Sequence, residues 1–244
     1  MQTVLLMSAP AANAGNGRDP RLLEGLFSNL PLFRDIPQRS IAQIAAQSRT
    51  QRIRRGAALA RKGEKLPGVV AMAYGSLKLA LRRTGGDEKV VRFLGPNETF
   101  GEASILLDRP SPVDAVALAD SMLGIIPAAP LQRLLENDSA FARNLVRILG
   151  ARFLDLLGEV EATVQQNGVQ RLAHYLDSLA EPNGDAESWI VRLPANKTTI
   201  AARLGVTKET MSRLLRELTN RELITVSRRE IMIRDRARLA QLAG

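Results

Sequence analysis

The stretch that decides the fold runs from Lys197 to Arg216 and reads KTTIAARLGVTKETMSRLLR. It predicts two short helices joined by a tight turn at Gly205 and Val206, with Thr207 as the cap of the second helix, because Ser and Thr are preferred at that position. Ala201 is small enough for the helices to approach closely, and Gly205 tolerates the positive φ of the turn. This spacing is typical of a helix-turn-helix.

The second helix of this motif has one apolar face and one polar face. Its apolar residues recur at i, i+3, i+4 and i+7, as Met211, Leu214, Leu215 and Leu218. Four polar residues share the opposite face, namely Lys208, Glu209, Ser212 and Arg213. Such a face suits the edges of bases in a DNA major groove. The alternative is an ordinary amphipathic helix pair whose charged face is only solvated.

The composition excludes several kinds of site. The 244 residues carry 34 Lys plus Arg against 25 Asp plus Glu, a net charge of +9, which favours a polyanionic partner. Without cysteine the chain has no disulfide, thiolate nucleophile or cysteine-ligated metal. The lone His174 argues against a multi-histidine metal site or a serine-histidine triad. We therefore expect no metal, no catalytic residues and no enzyme activity.

The order of segments predicts the domains. Residues 1–20 are rich in Ala, Asn, Gly and Pro and carry neither a signal peptide nor a membrane span, so we expect a disordered tail, a cytoplasmic protein and no membrane partner. Residues 21–137 begin with two or three short helices and continue as β-rich runs separated by glycines, typical of an antiparallel β domain. Residues 138–166 are one helix, and residues 167–244 contain the helix-turn-helix.

The helix over 138–166 carries a heptad seam. Its predicted dimer positions are Val146, Leu149, Phe153, Leu156 and Val160. This spacing pairs two helices in a coiled coil, so we expect a homodimer, although a stripe buried within one chain is the alternative. Four residues beside the seam are expected to face the β domain: Phe141, Leu145, Ile148 and Leu157.

The C-terminal part predicts a hinge and a wing. The polar residues from Gln165 to Gly168 are expected to form the hinge, Glu181 to Ser188 a turn-rich loop, and Trp189 to Leu193 a strand. Two short strands then flank Arg228 and Arg229, as in the basic wing of a winged helix. Both arginines, together with Thr199, are candidates for phosphate contacts, which hold register without reading sequence.

The chain resembles the Crp/Fnr superfamily of transcription regulators from about residue 22 to residue 242. PNETFGEASILLDRPSPVDAVALADSMLGIIP, residues 96–127, is similar to the end of a cyclic-nucleotide-binding β-roll, and the run from Glu209 to Arg213 resembles the recognition helix of the Fnr branch. The resemblance implies an α+β fold of β-roll, long dimerisation helix and winged helix-turn-helix. It also implies double-stranded DNA with TTGAT-type half-sites and RNA polymerase as partners. At the matching positions Arg213 can donate two hydrogen bonds to guanine and Glu209 can accept from cytosine, while Ser212 is a small contact and the role of Lys208 stays open.

The resemblance also bears on the effector. Cyclic-AMP receptors hold the cyclic phosphate with an Arg-Ser or Arg-Thr pair about ten residues after the Phe-Gly-Glu turn, where this chain has Ser111-Pro112-Val113-Asp114. No cation is expected there, and Asp114 would repel a phosphate, so we do not expect a cyclic nucleotide. The cysteines of the Fnr iron-sulfur cluster are absent. We expect an effector pocket between the β-roll and the long helix, at Glu102, Phe141, Leu145 and Ile148, or else no effector at all.

Three functional hypotheses follow. The first is a homodimeric regulator that reads palindromic DNA under control of an effector sensed by the β-roll. The second is a haem-dependent gas sensor of the Dnr type, with Tyr74, Met72 or His174 as the candidate iron ligands, although Met72 suits a core position and His174 a solvent-facing one. The third is a small-molecule-binding module without DNA readout.

Overall fold

A computed structural model of the chain describes residues 16–82 and 87–243. They pack as two compact units, the first with residues 16–79 and 94–148, the second with residues 80–82, 87–93 and 149–243. The α+β fold class is confirmed, with an antiparallel β domain followed by helices and a helix-turn-helix.

The β domain combines two antiparallel sheets with short helices. Its strands are β1 (Asn16–Gly17), β2 (Arg49–Ile53), β3 (Ala58–Ala60), β4 (Val69–Tyr74), β5 (Leu77–Arg82), β6 (Glu88–Leu94), β7 (Thr99–Phe100), β8 (Asp114–Ala117) and β9 (Ser121–Ile126). The helices of this region are α1 (Pro20–Ser28), a 3-10 turn (Pro31–Phe33), α2 (Gln38–Gln47), α3 (Glu102–Leu106) and α4 (Ala128–Asn137). One sheet has the strand order β1-β2-β9-β4-β7 and the other β3-β8-β5-β6.

The predicted tail is ordered over its last residues. Residues 1–15 lie outside the described part of the chain, but Asn16 and Gly17 pair with β2, and the Thr50 hydroxyl donates to the Gly17 carbonyl at 2.9 Å. Asp19 then caps α1 by accepting from the Leu22 N–H. The expectation of a disordered tail to residue 20 is therefore wrong for residues 16–20, because strand pairing and a helix cap satisfy their backbone.

An aromatic cluster organises the core of the first unit. The rings of Phe27 and Phe33 stack with centroids 5.5 Å apart, and Phe141 lies 5.7 Å from Phe33. Gly124 on β9 allows α1 to approach, since a Cβ there would come within 3.0 Å of the Leu23 and Phe27 side chains.

The long helix α5 (Ser139–Gln165) begins at a cap. The Asp138 carboxylate accepts from the Ala140 and Phe141 N–H groups at 2.9 and 3.1 Å, which separates α5 from α4. The helix predicted over residues 138–166 therefore begins at its cap and is separate from α4. The buried amide of Asn144 donates to the Arg34 carbonyl at 2.7 Å and anchors the first turns of α5.

The second unit contains the winged helix-turn-helix. Its helices are α6 (Gly168–Ser178), α7 (Lys197–Leu204), α8 (Lys208–Asn220) and α9 (Arg236–Ala243), and its strands are β10 (Glu181–Asn183), β11 (Asp185–Arg192), β12 (Ile224–Ser227) and β13 (Glu230–Ile233). The sheet has the order β10-β11-β13-β12. Arg236 ties α9 to this unit, since its guanidinium lies 3.7 Å from the Trp189 ring centroid and donates to Asp177.

The predicted loop from Glu181 to Ser188 is instead most of a β-hairpin. Glu181 pairs with Ile190 and Pro182 with Trp189, and Gly184 occupies the turn with φ 79°. The polar composition suggested a loop, but pairing with β11 satisfies the backbone of these residues.

The corner between α5 and α6 is tightly hydrogen-bonded. Asn167 and Gln170 form a reciprocal capping box at the start of α6. The Arg171 guanidinium donates to the Gln166 carbonyl at 2.6 Å, and the Gln166 amide donates to the Ala243 carbonyl at 2.8 Å. The predicted hinge at Gln165–Gly168 is thus held by hydrogen bonds, because several of its polar groups are bonded within the unit. We call this corner the braced elbow.

Candidate nucleic-acid interface

Two caps and a left-handed glycine build the helix-turn-helix. The Thr199 N–H donates to Asn196 at the start of α7. Gly205 ends that helix with φ 71°, in the region that glycine adopts without strain. The Thr207 hydroxyl accepts from the Thr210 N–H at 3.2 Å, so Thr207 caps α8 as the sequence predicted.

The two faces of α8 separate as the periodicity predicts. Met211, Leu214, Leu215 and Leu218 are buried, and Ala201 of α7 is buried as well. Lys208, Glu209, Ser212 and Arg213 are all exposed. We call these four residues the reading face. Its arrangement leaves hydrogen-bonding groups accessible to a ligand in front of the helix.

Each side chain of the reading face has a defined chemistry. The Ser212 hydroxyl donates to the Lys208 carbonyl at 3.0 Å, so its oxygen is left to accept from a ligand. Among the described residues, no carboxylate forms an ion pair with Arg213. Its planar guanidinium can therefore donate two parallel hydrogen bonds, a geometry that matches guanine O6 and N7.

Glu209 is held in its ionised form. Its pKa lies below the ordinary value because the carboxylate accepts from its own backbone N–H, from the Thr207 side chain, and is close to the Lys208 ammonium. An ionised carboxylate is a hydrogen-bond acceptor only. On this face it can accept from an exocyclic amine such as cytosine N4.

The other candidate contacts differ in their exposure. Thr199 is buried and its hydroxyl donates to Asn196 at 3.0 Å, so it is part of the α7 cap and does not present the exposed hydroxyl expected for a phosphate contact. Arg228 and Arg229 are exposed at the tip between β12 and β13, where Arg228 has φ 51°. The wing therefore has the basic tip that the sequence predicted.

A cleft of about 560 Å³ borders the reading face. It is lined by residues of the elbow, of α8 and of α9, including Gln170, Arg171, Thr210, Arg213 and Arg221. Arg171 and Arg221 were not among the residues that the sequence patterns indicated. A capping-box pattern, Asn167 followed by Gln170, was the available signal that a helix begins beside this cleft.

The predicted seam residues lie mainly on an exposed apolar face of α5. Val146, Phe153, Leu156 and Val160 are each at least 51% exposed, whereas Leu149 is half-buried. Phe141 and Leu145 are buried in the first unit and Ile148 is half-buried. Leu157 was expected to face the β domain, but it is half-exposed because it lies on the same side of the helix as Phe153 and Val160.

Two acidic residues of the β domain are bonded within the chain, namely Glu102 of the expected effector pocket and Asp114, which was expected to repel a phosphate. Glu102 is buried and accepts from the Thr99 hydroxyl. Asp114 is also buried, accepts from the Lys62 N–H at 2.8 Å and lies 3.6 Å from the Arg61 guanidinium. The expectation that no cation is supplied beside Asp114 is wrong, since Arg61, which directly follows β3, forms an ion pair with it.

The three candidate haem ligands have different environments. Met72 is fully buried on β4, whereas Tyr74 at the end of the same strand is half-exposed. His174 is exposed on α6 in the second unit, as expected from its position off the apolar stripe. Within residues 16–82 and 87–243, the side chains of His, Asp and Glu do not form a group of three that could hold a metal ion. The helices of that same part of the chain are too short or too polar to cross a membrane.

Both domains match models of known protein families. The model described as a cyclic nucleotide-binding domain matches residues 50–138, and that of the Crp-like helix-turn-helix domain matches residues 170–242. The CRP-like cAMP-activated global transcriptional regulator of Mycobacterium tuberculosis is 22% identical over 91% of this chain and 100% of its own length. The transcriptional activator protein Anr of Pseudomonas protegens is 28% identical over 79% of each chain.

Solved structures share the fold. FixK2 from Bradyrhizobium japonicum superimposes with a TM-score of 0.71 at 21% identity, covering 81% of this chain and 98% of FixK2. The reading face thus belongs to a helix-turn-helix that follows a domain of the cyclic-nucleotide-binding type. With both domains in this order, the chain is a transcription regulator of the Crp/Fnr family.

Proposed function

We propose that the protein is a homodimeric regulator whose reading face recognises a palindromic DNA site with TTGAT-like half-sites. The observation that carries this proposal is the set of four exposed side chains on α8, backed by a fully apolar buried stripe. Arg213 and Glu209 supply a paired donor and an ionised acceptor for base edges. The basic wing and Arg171 at the cleft supply positive charge beside them for phosphates.

A mobility shift on a TTGAT-N4-ATCAA duplex tests this function. The protein should bind that duplex in moderate salt at least about tenfold more tightly than a scrambled duplex of equal length. Arg54→Ala is the matched control, because it removes one exposed arginine from the other unit and should leave the ratio unchanged. Equal affinity for the two duplexes would refute sequence-specific reading.

The second copy is proposed to bind along α5. Exposed apolar residues at heptad spacing, from Val146 to Val160, form the seam of a two-helix coiled coil. Monomeric proteins rarely expose a contiguous apolar face of this kind. Two-fold symmetry then places two reading faces about 34 Å apart, which is one turn of DNA and explains why a palindrome is required.

The effector is proposed to be something other than a cyclic nucleotide. Glu102 and Asp114 are already bonded within the β domain, and the buried Asp114 carboxylate is an unfavourable neighbour for a phosphate even with Arg61 beside it. Calorimetric titration with cyclic AMP should therefore give no saturable heat. Tight stoichiometric binding would contradict this part of the proposal.

Control of DNA binding is proposed to follow a population shift of α5. An effector that favours one arrangement of the seam helices would displace the end of α5, and the braced elbow would carry that displacement to α6. Hydrogen exchange over residues 139–168 should change when the protein becomes active, and an unchanged profile would argue against this route through α5.

RNA polymerase is proposed as a further partner, which the DNA-bound regulator would recruit.

A further inference from the structure

An ion pair connects the long helix with the first helix of the DNA-reading motif. The Arg203 guanidinium, in the last turn of α7, pairs with the Glu159 carboxylate on α5. Their side chains are only 20% and 30% exposed. Solvent therefore screens this pair less than a pair on an open surface, and losing one partner would leave a partly buried charge without compensation.

Arg203 is surrounded by further polar contacts in the second unit. Burial raises the pKa of the Tyr175 phenol on α6 to about 12, partly offset by the nearby Arg203 charge. The Lys89 ammonium on β6 donates to the Arg203 carbonyl, where a cation complements the negative end of the α7 dipole. The contacts of Arg203 with Glu159 and Lys89 thus fix the C-terminal end of α7, two residues before the turn at Gly205.

Position matters here because α7 supports α8. α7 packs directly against α8, and Ala201 and Met211 on these helices are both buried, so a shift of α7 would displace the reading face. We propose that Glu159 and Arg203 are positioning residues, which tie α7 to α5 and thereby set the direction in which the reading face points. The inference rests on the proposed dimeric DNA reader, in which that direction determines the spacing of half-sites.

A double-mutant cycle tests the proposal in the full-length dimer. Glu159→Gln and Arg203→Gln should each weaken binding to the TTGAT-N4-ATCAA duplex about tenfold, the factor that corresponds to 1.4 kcal/mol of coupling. The double variant should lose no more than either single variant, because both remove the same contact. Each variant should also lose discrimination against duplexes with three or five base pairs between the half-sites.

Two variants control for general damage. Glu161→Gln makes the same charge change at an exposed position of α5 and should leave affinity and spacing preference unchanged. Arg203→Lys keeps the positive charge and should recover most of the affinity. Additive losses, or single variants with the parent's affinity and spacing preference, would overturn the positioning role.

A distance measurement without DNA separates this inference from the proposed function. The chain has no cysteine, so spin labels can be placed at Asp155→Cys on α5 and Asn220→Cys at the end of α8, with unlabelled chain in excess. The parent should give one narrow distance, which broadens or shifts in Arg203→Gln. An unchanged distribution would overturn the positioning role whatever the DNA result, whereas a parent that ignores the palindrome would count against the proposed function alone.

Discussion

Phe153 provides the most direct mutational test of the dimer. Phe153 is 60% exposed on α5. A fully buried phenylalanine removes about 150–250 Å² from water, so covering the exposed part through the seam would bury about 120 Å² on each copy. At about 25 cal/mol per Å² this is about 3 kcal/mol per copy and about 6 kcal/mol for the symmetric pair.

Phe153→Ala should accordingly weaken dimerisation strongly. The full value corresponds to about four orders of magnitude in the dissociation constant, and to about two if only half of the area is covered. Sedimentation equilibrium over a range of concentrations measures this change directly. Circular dichroism should show unchanged helix content, because Phe153 makes its proposed contacts with the second copy.

Leu154 supplies the matched control for this experiment. It is 66% exposed but lies about 100 degrees around α5 from Phe153, away from the seam. Leu154→Ala should change the dissociation constant less than about threefold. Equal effects of the two substitutions, or a parent protein that stays monomeric, would refute the assignment of the seam.

Three further predictions concern the second unit. Gly205→Ala places a Cβ at φ 71° and should lower the free energy of unfolding by about 1–2 kcal/mol, measured by urea titration; an unchanged midpoint would contradict the strained turn. The buried Tyr175 hydroxyl has no hydrogen-bond partner within the described chain, so Tyr175→Phe should stabilise the protein by about 1 kcal/mol. The pKa of Tyr175 is raised from 10.0 to about 12, so the folded protein favours the neutral phenol. The free energy of unfolding should therefore not depend on this group below pH 10 and should fall as pH rises from 10 toward 12. Tyr175→Phe should lack this alkaline fall in thermal melts. The pKa of Glu209 is lowered, so its carboxylate stays ionised above the ordinary value of 4.5 and loses its charge only as pH falls through the lower folded value. Discrimination at the base pair that it reads should therefore be constant from about pH 6 to 8 and absent in Glu209→Ala, which removes the acceptor, whereas a titration within that range would contradict its assignment as an ionised acceptor.

Local patterns predicted the helix-turn-helix well. The cap at Thr207, the turn at Gly205 and the apolar stripe of α8 each depend on residues within one or two helical turns of one another. The β-rich runs separated by glycines likewise predicted the antiparallel β domain that the structure contains. Such features need no knowledge of distant partners, which is why they can be predicted from one sequence.

Features that depend on pairing were harder to predict. The hairpin of β10 and β11 has a polar sequence and is defined by its register, Glu181 opposite Ile190. Thr199 was expected to present an exposed hydroxyl, but the cap residue Asn196, three positions earlier, accepts from that hydroxyl.

Contacts between residues far apart in sequence gave no local signal. Arg61 reaches Asp114, and Glu159 reaches Arg203, only after the chain has folded. The charge of each residue was visible, but its partner was not. The candidate reading face was therefore predictable, whereas the bonding around Asp114 and the support behind α7 were not.

A base-by-base substitution series on the TTGAT-N4-ATCAA duplex tests most directly whether α8 reads bases. Equilibrium binding at one fixed salt concentration should show that replacing the guanine pair costs the parent protein about 1–3 kcal/mol. Arg213→Ala should lose about the same free energy on the intact site and should no longer distinguish that pair, while discrimination at the other positions is retained. Uniform weakening of Arg213→Ala on every sequence would contradict base reading by α8, since it would show that Arg213 contacts a phosphate.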